Sequence, residues 1–257
     1  VKIHKLNSLR TSMLPETYGK FECSDKDLTE LWNASAFTLL CCATDAYMDC
    51  PQREQRAYIG DAYVEALVSQ VCFGSHGLTK KIIYDAALGQ RSDGMTYSYH
   101  PGDYTANTHI IPDYCLYWIQ LTDLYHQWTG ENEILFDMYP HFLLAIDWFL
   151  KFLDKKVGLI GHLPHWIFID WGYNQQKEVY IAIINAQFAD CLRIVANIAK
   201  ISEDRYHERK YLEIADSIKE KINQLCWEPS LGCYRDGTDG EKPTGLISQH
   251  TNAYLAL

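Results

Sequence analysis

The sequence predicts an all-α protein made of helical hairpins, and three observations carry that prediction. Apolar residues recur at the i, i+3, i+4, i+7 spacing of a helix face in eight successive segments. No segment alternates apolar and polar residues as a half-buried strand does, the first few residues aside. The breaks between segments alternate between short and long, which gathers the long connections at one end of an array of antiparallel helix pairs.

Residues 1–22, with Pro15 and Gly19, lack periodicity and read as a linker arriving from an upstream region. The first helix carries Leu28, Leu31, Trp32, Ser35, Leu39 and Cys42 on one face. Ser24 is its expected N-cap, and Asp27 is an acid that the helix dipole favours in a first turn. Tyr63, Ala66, Leu67 and Val71 mark the second helix, ended by Gly74, and the third covers about 78–88 and stops at Gly89. The fourth runs through Tyr114, Tyr117, Trp118, Leu121, Tyr125 and Trp128 to Gly130. Leu135, Met138, Phe142, Ala145, Ile146, Phe149 and Leu153 make the fifth, reaching Gly158. In the sixth, Val179, Ala182, Ala186, Ala189, Leu192, Ala196 and Ala199 supply small residues suited to close packing. Tyr211, Ile214, Ala215, Ile218, Ile222 and Leu225 form the seventh, and an eighth opens around Ser248.

Composition narrows the function. The 257 residues carry 23 Lys+Arg against 33 Asp+Glu, a formal net charge of −10, without a basic run. Nucleic acid as a partner is thereby disfavoured, because phosphate backbones are bound by basic stripes. No uninterrupted apolar stretch reaches the ~18 residues of a membrane span, so no membrane partner is expected. The start, Val1-Lys2-Ile3-His4-Lys5, lacks an initiator Met and the layout of a signal peptide, as expected of a processed or excised chain. Nine cysteines without a Cys-x-x-Cys pair, mostly among apolar neighbours, point to a reducing compartment and hence the cytoplasm. No cofactor or metal is implied. His162 and His165 have Pro164 between them and no third ligand at a sensible spacing.

The long breaks, roughly 44–60, 89–109, 157–177 and 228–247, are rich in Asp, Trp, Tyr, His and Gly. Long connections in a compact domain are usually functional. The densest constellation is Asp49-Cys50-Pro51-Gln52-Arg53-Glu54-Gln55-Arg56-Ala57-Tyr58-Ile59-Gly60-Asp61. Asp49 and Glu54 sit among Tyr47, Met48, Tyr58 and Ile59, an apolar setting of the kind that raises a carboxyl pKa. A neutral acid near pH 7 is what protonation of a leaving oxygen requires. Spacing alone leaves this open against a structural ion-pair cluster.

These residues resemble a known family. Phe21-Glu22-Cys23-Ser24-Asp25 through Leu28 and Trp32, then Asp49-Cys50-Pro51-Gln52-Arg53-Glu54 with Gly60-Asp61, are similar to the catalytic domain of bacterial α-L-rhamnosidases, glycoside hydrolase family 78. Ile111-Pro112-Asp113-Tyr114, Trp128-Thr129-Gly130-Glu131, Phe168-Ile169-Asp170-Trp171 and Ser248-Gln249-His250-Thr251-Asn252-Ala253 extend the match to the C-terminus. The resemblance implies an (α/α)6 toroid and inverting hydrolysis of terminal α-L-rhamnosyl groups, with rhamnosides as partners. A ring of six hairpins needs twelve helices. Residues 23–257 therefore read as the N-terminal two-thirds of the ring, incomplete in this chain. The resemblance further implies Glu54 as general acid, and Asp49, Arg53, Tyr58, Asp61, Asp170 and Trp171 as substrate-binding residues. An inverting enzyme needs a second carboxylate roughly 6.5–9.5 Å away, which the resemblance places beyond Leu257. Glu241 and Asp239 have no motif behind them as substitutes. A non-catalytic sugar-binding or structural domain is the alternative, and a metal-dependent hydrolase ranks behind both.

Other residues are read first as structure. Trp118 and Trp128 fall on a helical stripe, and Trp166 lies near the Asp170-Trp171 pair. His250 is expected to tie a loop to a helix start. Asp93, Asp103 and Tyr104 are candidates only through their place in a long break, and the Lys80-Lys81 and Lys155-Lys156 pairs read as solvated surface.

Overall fold

The computed structural model describes residues 2–15, 19–102, 109–169, 171 and 179–256. Among them are eight helices: α1 (Lys26–Cys42), α2 (Ile59–Phe73), α3 (Gly77–Leu88), α4 (Pro112–Thr129), α5 (Glu133–Leu150), α6 (Ala182–Ile201), α7 (Arg205–Leu225) and α8 (Gln249–Ala256). The sequence places each of them. Their ends show where local chemistry overrides periodicity. α1 is capped by Asp25 rather than Ser24: the Asp25 backbone is extended and its side chain accepts the Asp27 N–H at 3.0 Å. α5 stops at Leu150 instead of running toward Gly158, because Asp154 accepts the N–H groups of Lys156 and Val157 and reverses the chain. The reversal pairs Leu153 with Ile160.

α2, α4, α6 and α8 pack successively side by side. A second row lies against them, with α3 on α2 and α4, α5 on α4 and α6, and α7 on α6. The short turns α2–α3 and α4–α5 begin at Gly74 and Gly130, both left-handed, where a Cβ would be disfavoured. α7 is strongly amphipathic and buries Tyr211, Ala215, Ile218 and Ile222, one face of its helix. It meets α6, where Ala182, Ala189, Ala196 and Ala199 are buried and allow close approach. α6 is also long and apolar enough to cross a bilayer, but it is the core helix of this array. Trp118, expected on a core stripe, is fully buried, packs edge-on against Phe142 and donates Nε1–H to the Ile83 carbonyl at 3.0 Å.

The long connections share one end of the array, as their hydrogen bonds establish. Tyr58 bridges to Tyr99, and the Ile59 N–H donates to the Ser98 carbonyl. Asp113, at the start of α4, accepts from Phe168 and Ile169. The third and fourth connections pair as strands, in contrast to the expectation of none. β1 (Tyr180–Ile181), β2 (Trp227–Glu228), β3 (Cys233–Tyr234), β4 (Gly237–Thr238) and β5 (Pro243–Thr244) form an antiparallel sheet ordered β1-β4-β5 and a β2–β3 ladder. Two-residue strands are too short to print an alternation in sequence.

The first residues contain no helix or strand in their described part, yet they are docked rather than loose around Ser12–Leu14. Ser12 Oγ and the Met13 N–H both donate to the Ala43 carbonyl, and Leu14 is buried. All nine cysteines are free thiols.

Candidate active site

In the loop between α1 and α2, Asp49 Oδ1 accepts the Arg56 N–H at 2.9 Å while the Asp49 N–H donates to the Arg56 carbonyl. This closes residues 49–56 into a tight excursion. Pro51 starts the turn, and Gln55 completes it in the left-handed region at φ 54°, its Nε2 donating to the Pro51 carbonyl at 2.7 Å. A non-glycine residue there carries local strain. Glu54 is held at the tip by three hydrogen bonds. Its N–H points to Cys50 Sγ, Arg53 donates to Oε1 at 2.6 Å, and Tyr58 OH donates to Oε2 at 3.0 Å. The Arg53 side chain is largely solvent-exposed, while the Glu54 side chain is about two-thirds covered. Arg56 lies over the Tyr99 ring at 4.7 Å, joining the first long connection to the second.

Asp61 sits in the first turn of α2, where an acid is favoured. The glycine before it has a structural reason. The Tyr114 ring lies against Gly60, and its hydroxyl reaches Asp61 Oδ2 at 3.2 Å. Burial pushes the Asp61 carboxyl up, opposed by the Tyr114 hydrogen bond and reinforced by the charge on Asp49.

A cavity of about 660 Å³ opens here between α1, α2 and α4. Asp49, Asp61 and Glu65 bring carboxyls to it, Tyr114, Tyr117 and Phe168 bring aromatic rings, and His250 lines it from the start of α8. The size falls in the range of small-molecule sites, and the mixture of apolar walls with a few polar groups is what such sites use.

Of the residues singled out from sequence, Asp49 and Asp61 line the cavity, and Glu54, Arg53 and Tyr58 belong to the same loop beside it. Trp171 does not line it. It is 81% exposed and packs in an outer cluster, tilted against Trp166 and edge-on to Phe168 at 5.6 and 5.1 Å between ring centroids, and only Phe168 of these rings reaches the cavity. Asp170, Asp103 and Tyr104 lie outside the described residues. Asp93 pairs with Arg91 and accepts the Met95 N–H, and Asp239 accepts from Glu241 and Lys242; both do turn work. Lys80 is ion-paired with Glu131 across to α5's entry turn, rather than simply solvated. His165 stacks on Trp148.

Three residues matter that sequence reasoning passed over as site residues. Glu65, one helical turn beyond Asp61, has its carboxyl pushed up to about 9 by burial first and then by Asp61 and Asp49. The apolar setting read around Asp49 and Glu54 is thus deepest at Glu65, a protonated acid at neutral pH. His250, expected to tie a loop to a helix start, stands in the cavity wall. Asp113, quoted only as part of a motif, is fully buried. Both its oxygens accept backbone N–H groups, from Phe168 at 3.0 Å and from Ile169 at 2.9 Å, where Ile169 is left-handed at φ 48°. Burial raises its pKa to about 6 against those bonds. Helical spacing marks Glu65 as Asp61's neighbour at i+4, but a lone acid on a helix reads as a solvated face.

Hairpins in two rows, with acids, aromatic rings and an Arg-bearing turn gathered at one end around or beside a cavity, define a helical-hairpin domain with a candidate small-molecule site. Residues 16–253 match the family described as the bacterial alpha-L-rhamnosidase 6 hairpin glycosidase domain, and the chain belongs to that family. An alpha-L-rhamnosidase of Formosa agariphila is 22% identical over 220 residues, covering 80% of this chain and 23% of that protein. The GH78 rhamnosidase of Bacillus sp. GL1 superposes with a TM-score of 0.79 at 24% identity, over 90% of this chain and 24% of that one. A rhamnosidase of Klebsiella oxytoca, solved with rhamnose bound, gives a TM-score of 0.78 at 24% identity, over 93% of this chain and 45% of that one. The structural likenesses establish the fold, and the chain spans about a quarter of the length of the first two relatives.

Proposed function

We propose that this domain hydrolyses terminal α-L-rhamnosyl groups from glycosides or polysaccharides, with inversion at the anomeric carbon. One observation carries the reading: Glu54 stands on a pinned turn beside a cavity that holds Asp49 and Asp61 opposite aromatic rings. Sugar C–H faces pack on such rings, while carboxylates fix hydroxyls. Glu54 gives its proton to the glycosidic oxygen as the C1–O bond breaks. Asp49 and Asp61 hold ring hydroxyls and favour the positive charge that develops on the ring. Arg53 and Tyr58, which donate to the two Glu54 oxygens, aim the acid. Water adds to C1 from the opposite face and passes its proton to a second carboxylate, the partner an inverting mechanism requires. The rhamnose recorded in the Klebsiella relative supports the choice of sugar, and the nine free thiols favour a cytoplasmic setting.

The test is Glu54→Gln assayed on an aryl α-L-rhamnoside. Turnover falls by about two to four orders of magnitude, the usual contribution of a general acid. Turnover near wild type overturns the assignment. Proton NMR during hydrolysis reads the stereochemistry: β-L-rhamnose appears first if the enzyme inverts. A non-catalytic rhamnose-binding domain is the second reading, favoured by the lack of a motif-matched base in these residues. Calorimetric binding of rhamnose by a wild-type protein that hydrolyses no rhamnoside would select it.

A further inference from the structure

We propose that Glu65 is a substrate-binding residue of this cavity, its buried carboxyl oxygen reserved for a sugar hydroxyl that it selects. The inference rests on the rhamnosidase reading above and deepens it. Asp61 and Glu65 stand at i and i+4 of α2, so both project from one face of the helix, and both line the cavity with Asp49. Glu65 Oε2 is buried in the protein and has no hydrogen-bond partner. An unmet buried polar atom is costly and uncommon. The groups acting on this carboxyl are Asp61, Asp49 and the Met48 backbone N–H, none of them cationic. Among the described residues no counter-ion therefore explains its position, and no structural ion pair accounts for it.

What the site offers fits a hydroxyl-bearing neutral ligand. Burial first, and then the crowding of three carboxyls into one cavity, keeps the proton on Glu65 and makes it a donor, consistent with the pKa near 9. Asp61 and Asp49 add carboxyl oxygens that accept hydrogen bonds. A sugar hydroxyl donates and accepts, and meets both kinds of group in this arrangement. An anionic ligand is disfavoured by the same crowding. Glu65 thus adds, to the acceptors already expected, a donor one helical turn along α2 from Asp61, suited to a particular ring hydroxyl.

The experiment uses the wild-type protein with Glu65→Leu and Glu65→Gln, measuring kcat and KM on aryl α-L-rhamnoside and on its 2-, 3- and 4-deoxy analogues. Glu65→Leu is expected to raise KM about tenfold on the parent substrate, the worth of one hydrogen bond, with little change in kcat. It is also expected to lose discrimination against one deoxy analogue while keeping it against the other two. Glu65→Gln, which retains a donor of the same reach, is expected to recover most of the lost affinity. Unchanged KM and unchanged discrimination in Glu65→Leu overturn the proposal, as does equal loss in Glu65→Gln with a wild-type melting curve. A wild-type protein inert towards every rhamnoside, and silent in calorimetry with rhamnose, overturns instead the reading on which the proposal rests.

Discussion

Gly60→Ala tests how the cavity wall is built. A Cβ placed on Gly60 lies 2.3 Å from Tyr114 Cε1, 2.6 Å from Cδ1 and 2.7 Å from Cζ. Carbon atoms pack at about 3.5–4.0 Å, so the ring must retreat by about 1 Å. It has little room: Tyr114 is 5% exposed, and its ring packs edge-on against those of Tyr58, Tyr117 and Phe168. Overpacking of this kind costs about 1–3 kcal/mol. The retreat also breaks the 3.2 Å bond from Tyr114 to Asp61, worth about another 1 kcal/mol. Against this, Gly to Ala in a helix contributes at most about 1 kcal/mol. The net expectation is a loss of about 2 kcal/mol, read as a lower urea midpoint at constant m-value. A Tyr114→Leu background separates the causes, because leucine stops short of the Cε1 position and can swing aside. There Gly60→Ala should be neutral or slightly stabilising, a coupling of about 2–3 kcal/mol. Equal costs in both backgrounds would refute the idea that the motif glycine exists to seat Tyr114.

Two further outcomes follow from the buried acids. The Glu65 carboxyl has its pKa raised from 4.5 to about 9 in the folded protein, so the folded state keeps a proton that the unfolded chain releases. Stability therefore falls as pH rises through that window, by no more than about 3 kcal/mol at pH 7. Glu65→Gln removes the Glu65 share of the fall and leaves the shares of Asp113 and Asp61; unfolding curves at pH 5 and pH 8 check it, and identical pH slopes in wild type and variant contradict it. Asp113→Ala leaves the N–H groups of Phe168 and Ile169 without their acceptors. Hydrogen exchange at those two amides should quicken by about tenfold or more, with amides of α6 as the unchanged reference. Equal protection in both proteins rules out Asp113 as the clamp of this segment.

Helix positions were legible because periodicity and stop signals agreed. Gly74 and Gly130 end α2 and α4 in the left-handed conformation that glycine adopts freely. The errors fall where a side chain captures the backbone: Asp25 in place of Ser24 as cap, and Asp154 ending α5 early. Burial was less legible than helicity. Leu28 and Leu31 share the predicted face of α1 yet stay exposed, while Leu39 and Cys42 are buried. The site was legible where it is continuous in sequence, from Asp49 to Asp61. Its other walls come from α4, from the segment around Phe168 and from α8. No pattern within one segment announces that Tyr114 will reach Asp61, or that Asp113 will hold Ile169.

By itself the sequence determined the helices, their pairing into hairpins through alternating short and long breaks, and the loop that carries Glu54. These depend on local spacing, capping and turn chemistry, which short stretches of chain encode. Tertiary structure decided which acids are buried, which aromatic rings face the cavity, and that Trp171 stands outside it. Those properties depend on what a side chain meets across the fold. The same carboxyl that is solvated on an isolated helix loses its water, and so keeps its proton, once α1 and the Asp49 loop close over it.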